Sequence, residues 1–237
     1  MKIYVGTSGY GHKEWKGIFY PEKISPQAML RFYAARLGAV EINYTYYHMP
    51  TEKVLASWAE QVPDGFAFAL KASQVITHRK RLRKVEEESE YFFRVLAALD
   101  RKMGPVLFQF PESFHANRAA LQDFLPLLPK QRQCAFEFRH PSWFEPEILD
   151  LLRDKGCSLC LADTDELPAT EIIRTAPWGY LRLRRSEYSA ADLAQWLERI
   201  LAQPWQSAFV FFKHEEEATG AKGPEMAMHF QQLAGAR

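Results

Sequence analysis

Short apolar runs alternate with longer helical stretches eight times along this chain, and that alternation restricts its fold more than any other feature. The runs fall at residues 3–6, 39–43, 66–71, 106–110, 135–139, 158–163, 179–184 and 208–213, each of strand length. Helix signals lie between most of them. Ser25-Pro26 opens a stretch that Gly38 ends, Asn117 opens residues 118–128, and Gly156 closes residues 146–155. Ser189 with Asp192 has the spacing of a capping box, and a last helix is expected over residues 224–233. Only the link from Asp163 to Trp178 lacks a long helical pattern. Strands joined by helical crossovers pair in parallel. Eight such units in 237 residues predict a single-domain α/β fold, a TIM-type (β/α)8 barrel with an irregular link between strands six and seven. An open doubly wound sheet is the alternative.

Strand parity favours closure. In Ala67-Phe68-Ala69-Leu70-Lys71 and Ala135-Phe136-Glu137-Phe138-Arg139 the small or polar residues share one face and the bulky ones the other. One face would look into a barrel and the other against helices. Following the inward face to the C-terminal strand ends, where barrel enzymes place their sites, collects a ring of polar groups. The ring comprises Glu41 and Asn43, Lys71, Gln109, Glu137 and Arg139, Asp163, Arg182 and Arg184, and Lys213. A charge buried there must pair with a neighbour or a ligand.

Glu41, Glu137 and Asp163 are candidate proton-handling groups, and Lys71 a candidate acid, electrostatic stabiliser or Schiff-base nucleophile. A salt bridge from Lys71 to Glu41 or Glu137 is the alternative. Arg139, Arg182 and Lys213 suit an anion, because guanidinium forks match carboxylate and phosphate oxygens, and Asn43 and Gln109 would orient it. Ser8 adds a hydroxyl donor, His78 follows the third strand, and Tyr10, Trp15, Tyr46, Tyr47 and Trp143 follow strand ends closely enough to line the mouth. Carboxylates facing one another also permit a glycosidase arrangement.

With Lys+Arg 30 against Asp+Glu 29, the chain does not bind nucleic acid by bulk charge. Its one basic cluster, residues 78–84, could track a phosphate backbone, but Glu86-Glu87-Glu88 follows at once, which favours reading the segment as a solvated helix start with i,i+4 pairing. The acidic run 215–217 reads as a loop. Glu41, Glu137, Asp163, His78, His140 and His214 could share one barrel face, yet Lys71 and Arg139 among them would repel a divalent ion, so no metal or other cofactor is expected. Cys157 and Cys160 face opposite sides of a strand and form no pair, and Cys134 starts the fifth strand at the end away from the site. Three cysteines, no signal-peptide pattern at the start and no apolar run near the roughly 20 residues of a membrane helix give the expectation of a reduced, cytoplasmic protein without membrane insertion.

Gly6-Thr7-Ser8-Gly9-Tyr10, Trp15, Phe19-Tyr20-Pro21, Glu41-Ile42-Asn43 with Tyr46-Tyr47 and Pro50, Thr77-His78, Gln109-Phe110-Pro111, Glu137-Phe138-Arg139-His140 with Trp143, and Asp163 together resemble the YecE-like family over essentially the whole chain. The resemblance implies a TIM-type barrel in a family of unknown function. Many members carry Arg-x-His-Gly after the seventh strand and asparagines after the eighth. Here those places read Arg182-Leu183-Arg184-Arg185 and Phe212-Lys213-His214-Glu215, similar to a subgroup whose Lys-His-Glu ending precedes a Gly-Pro element, Gly223-Pro224. The expected function is acid/base catalysis on a small polar molecule, anionic or sugar-containing, at the barrel mouth. The alternatives are nucleic-acid binding or phosphoester cleavage through residues 78–84, and a non-catalytic barrel that binds a metabolite or a protein.

Overall fold

Eight parallel strands close into a barrel in chain order: β1 (Lys2–Ser8), β2 (Ala39–Ile42), β3 (Ala67–Lys71), β4 (Met103–Gln109), β5 (Cys134–Glu137), β6 (Ser158–Asp163), β7 (Trp178–Leu183) and β8 (Ser207–Phe212). The closing seam pairs β1 with β8 from Lys2↔Ser207 to Thr7↔Phe212. The structure is a computed structural model and describes residues 1–213 and 222–236, so His214 and the acidic run 215–217 lie outside the described residues. The crossovers carry α1 (Pro26–Ala34), α2 (Tyr44–Tyr47), α3 (Glu52–Glu60), α4 (Glu86–Leu96), α5 (Arg118–Phe124), α6 (Pro146–Lys155) and α7 (Ala190–Leu201), and α8 (Lys222–Gly235) follows β8. No helix covers residues 164–177, as the missing helical pattern there implied. No helix among the described residues is long and apolar enough to cross a membrane.

Local chemistry sets the helix ends. Ser189 and Asp192 form the full capping box of α7, Asn117 accepts from Ala120 N at the start of α5, and Gly156 ends α6 at φ 71, a left-handed conformation that costs glycine little. The basic run is not a helix start. Residues Val75–Arg79 make one wide turn, then Arg81, Leu82 and Lys84 take positive φ values of 48, 67 and 51, which break any helical ladder, and α4 begins only at Glu86. The acidic residues that open α4 face its positive end, and Glu88 pairs with Lys80.

The barrel interior is filled unevenly. Ala39, Ala67, Ala69 and Ala135 on β2, β3 and β5 face Trp178, Tyr180, Phe209 and Phe211 on β7 and β8, with Tyr4 stacked on Phe209 at 4.5 Å. Outward residues such as Phe68, Leu70, Phe108 and Phe136 pack against the helices. All three cysteines are free and buried, Cys160 inside the barrel and Cys157 outside it.

One contact between α1 and the barrel replaces a strand-to-strand bond. The Tyr33 hydroxyl accepts from Thr7 N at 2.8 Å and donates to Ala39 O at 2.9 Å, bridging β1 to β2. Glycine at position 6 is required for this, because a Cβ there would stand 1.9 Å from Ala39 O. Tyr33→Phe leaves a buried N–H and a buried C=O unpaired and is expected to lower unfolding free energy by about 1–3 kcal/mol in urea titrations, with Gly6→Ala costing more. A Tyr33→Phe protein as stable as the parent would show that the bridge carries no weight.

Candidate active site

Three inward positions on strands β2, β5 and β7 form a buried ionic triad above the apolar filling. Two-residue periodicity carries the inward face from Ala39 to Glu41, from Ala135 to Glu137 and from Tyr180 to Arg182. Arg182 Nη2 donates to Glu41 Oε1 and its Nη1 to Glu137 Oε2, both at 2.7 Å, and all three side chains are at most 4% exposed. The remaining carboxylate positions are also taken. Ser8 Oγ and Tyr180 Oη each donate to Glu41 at 2.8 Å, and Gln109 Nε2 donates to Glu137 Oε1 at 2.7 Å, where Arg139 Nε approaches at 3.3 Å. Burial alone would raise both carboxyl pKa values, but Arg182, joined by Arg184 and Ser8 at Glu41 and by Arg139 and Gln109 at Glu137, outweighs it, so Glu41 lies below the usual range and Glu137 is pushed down to about 2. Both are therefore ionised across the physiological range. Burial and the Glu41 charge push the Tyr180 hydroxyl well up, so it keeps its proton and donates.

Lys71, at the end of β3, is the group this triad leaves over. Its ammonium lies 4.2 Å from the Tyr46 ring centroid and has no carboxylate at ion-pair distance among the described residues, because Arg182 occupies both glutamates. Burial, then Arg182 and Arg139, depress its pKa to about 8 against the upward pull of Glu41 and Glu137. His78 packs edge-on to Tyr46 at 5.0 Å and pairs through Nδ1 with Thr77 Oγ1 at 2.9 Å. Burial, with the charges of Lys71, Arg139 and Arg81, lowers His78 to about 4 and keeps it neutral at pH 7. Arg184 is half-buried without an ion-pair partner among the described residues, its pKa lowered by burial and by Arg182. Among the described residues, Glu41 and Glu137 are the only carboxylates in ion pairs with this group of Arg139, Arg182, Arg184 and protonated Lys71.

The sequence model of the family described as "Protein of unknown function DUF72" matches residues 4–237. The chain belongs to the DUF72 family. It is 29% identical over 184 residues to UPF0759 protein YecE of Escherichia coli strain K12, covering 73% of this chain and 65% of YecE. UPF0759 protein YunF of Bacillus subtilis strain 168 is likewise 29% identical over 178 residues, with 70% and 62% covered. The matches therefore span slightly less than two thirds of these curated relatives. The crystal structure of a DUF72 family protein from Thermotoga maritima is similar over 99% of this chain and 100% of that chain, with a TM-score of 0.84 at 28% identity.

In this DUF72 barrel several expected site residues serve elsewhere. Asp163 does not join the ring. Ser158, Cys160 and Ala162 take the inward face of β6, so Asp163 points outward, accepts from Tyr188 Oη at 2.7 Å and from Ala169 N at 2.7 Å, and pairs with Arg185 Nε at 2.9 Å. It ties the loops after β6 and β7 together. Trp143 is wholly buried, stacked on Phe138 at 4.3 Å with Nε1 donating to Phe114 O, and Trp15 is buried among Phe19 and Tyr20, so neither lines the mouth. Tyr10 lines a separate cavity against α1 and α3, and Tyr47 is 64% exposed. Ser8 and Gln109 spend their donors on the glutamates. Asn43 stands at the inward end of β2 as the N-cap residue of α2 without a side-chain cap bond, and Lys213 follows β8 half-buried. Tyr180 escaped notice in the sequence although it lies two residues before Arg182 and shares its face. Among the described residues, no three His, Cys, Asp or Glu side chains are grouped to hold a metal.

The triad predicts a defined acid response. A carboxylate whose folded pKa is depressed contributes stability above its unfolded pKa and loses it as pH falls through the folded value, here from about 4.5 toward about 2. Arg182→Met is expected to cost ~3–5 kcal/mol at pH 7 by stranding two buried carboxylates, and to abolish that acid-side decline in urea unfolding measured across pH.

Proposed function

We propose that this DUF72 protein is an enzyme that handles protons with Lys71 on a small anionic substrate held at the C-terminal mouth of its barrel. The observation that carries the reading is Lys71 itself: a half-buried amine, unpaired among the described residues and poised at about 8, where its acid and base forms coexist near physiological pH. Arg139 and Arg184 would take carboxylate or phosphate oxygens in a bidentate manner. The free amine would accept a proton from a substrate C–H or O–H, and the ammonium would return one to a developing oxyanion. The ionised triad below fixes the field in which this occurs, and neutral His78 is placed to orient a polar group without adding charge.

Neither glutamate suits the general-acid role of a glycosidase. That role needs a carboxyl that keeps its proton at the working pH, whereas both pKa values are lowered and every carboxylate oxygen is engaged. A second reading, phosphate or nucleic-acid binding by the basic loop, draws on a cavity of about 420 Å3 lined by Arg79, Lys80, Arg81 and Arg83. It is weaker, because Lys80 is paired with Glu88, and Arg81 donates to Ser113 while lying over Phe114.

An anion beside Lys71 favours the ammonium, so binding near pH 8 should take up protons. Calorimetry of acetate or inorganic phosphate at pH 8 in two buffers of different ionisation heat is expected to show net proton uptake, absent in Lys71→Met. Arg184→Gln should weaken binding roughly 10- to 100-fold, the loss of a charged hydrogen bond. Binding without proton uptake, or unaffected by Arg184→Gln, would contradict the reading.

A further inference from the structure

The sheet is not equally tight all round the mouth. β5 pairs with β6 only at Ala135↔Ser158 and Phe136↔Leu159, whereas β4 follows β5 to Gln109↔Glu137 and β6 follows β7 to Asp163↔Leu183. The β5–β6 seam therefore opens at the level of Glu137, beside the ionic triad. Outside this opening the segment 164–177 carries no helix, so loop residues such as Ala169, Ile172 and Ile173, rather than a crossover helix, pack on that flank of the barrel. A cavity of about 800 Å3 occupies the gap, within the roughly 300–1,000 Å3 usual for ligand pockets.

The two ends of that cavity differ in chemistry. Its polar lining comprises Glu137, Arg139 and Arg184 together with the solvent-exposed Glu112, Glu166 and Glu171. Away from the mouth it runs along Leu159 and Leu161 of β6, under Ile172 and Ile173, to Trp205. Its rim bears Phe144 and Leu167, which are 41% and 73% exposed, so apolar surface is left open to solvent at the arm. Glu137 is already paired with Arg182, and the exposed Glu112, Glu166 and Glu171 stay in solvent contact without pairing with Arg184, so the half-buried guanidinium of Arg184 has no ion-pair partner among the described residues. A ligand that satisfies both ends carries its negative charge at one end and a flexible apolar chain at the other.

We propose that the substrate is an amphipathic anion, a carboxylate or phosphate monoester whose head group sits at Arg139 and Arg184 and whose apolar chain leaves the barrel between β5 and β6 into the lateral arm. The head-group half rests on the function proposed above, and the arm stands on the seam and the missing helix. On the function proposed above, the tasks would divide: proton chemistry at the head group, and selection of chain length by the arm. A purely polar sugar would leave the arm's apolar lining exposed to water.

Calorimetry with the full chain and straight-chain carboxylates from acetate to octanoate, each below its aggregation concentration, tests this against the matching alkanols. Affinity is expected to rise roughly fourfold per added methylene, the equivalent of ~0.8 kcal/mol, until the arm is full, with each carboxylate bound more tightly than its alkanol. Ile172→Trp, which fills the arm, should remove the gain with length and leave acetate binding unchanged. Leu167→Asp, at an exposed rim position where folding is safe, should weaken octanoate more than acetate. Arg184→Gln should weaken all chain lengths alike. Acetate bound with no gain from longer chains would overturn the arm and leave the small-anion reading intact. A gain with length shared equally by alkanols and insensitive to Arg184→Gln would keep the arm but overturn both the amphipathic anion and the mouth reading. No binding of any carboxylate would overturn both.

Discussion

The guanidinium of Arg182 reaches from β7 to Glu41 on β2 and to Glu137 on β5, and the charge state of the whole barrel mouth follows from those two contacts. Each buried ion costs several kcal/mol to desolvate, and a pair at close range regains about 4 kcal/mol at 4 Å if the effective dielectric is near 20. Two such pairs, completed by Ser8, Tyr180 and Gln109, are enough to hold both carboxylates ionised despite burial. Because Arg182 takes both glutamates, Lys71 is left without a paired carboxylate, and burial, reinforced by the charges of Arg182 and Arg139, depresses its pKa.

Uneven filling of the barrel works together with this triad. Aromatic residues from β7 and β8 occupy the interior beneath the ions, which excludes water from below and keeps the local dielectric low. The side of β5 and β6 is different: the seam parts, the sixth crossover has no helix, and the cavity beside Glu137 is apolar on one flank and on the other carries Arg139 and Arg184 with exposed glutamates at its edge. Asp163 stabilises this departure from regular barrel geometry by tying Ala169 and Arg185 to the end of β6, so the irregular loop is anchored although it lacks secondary structure.

Much of this architecture was legible in the chain, and the failures have physical causes. Alternation of strands and helices predicted the barrel, and parity placed Glu41, Lys71, Gln109, Glu137 and Arg182 on one inward face. Asp163 departs from the inward ring because Cys160 sets the inward phase of β6, which puts residue 163, at the end of the apolar run, on the other face. Trp143 and Tyr10 follow strand ends as a ligand wall would, but so do residues that pack beneath loops, and nothing local separates the two. Which cation takes the glutamates depends on reach across the barrel, a distance no sequence spacing encodes. The absent helix between β6 and β7 was visible, but the parting of β5 from β6 was not, since ladder length depends on the register of two strands.

Arg182, not Lys71, neutralises the buried glutamates and so leaves Lys71 as a titrating amine. Heteronuclear NMR of the lysine side chains across pH measures this directly. Lys71 is expected to titrate with a midpoint near 8 in the unliganded protein. A midpoint at the ordinary lysine value of about 10.5, or above it, would mean that a carboxylate holds the ammonium after all and would contradict the account.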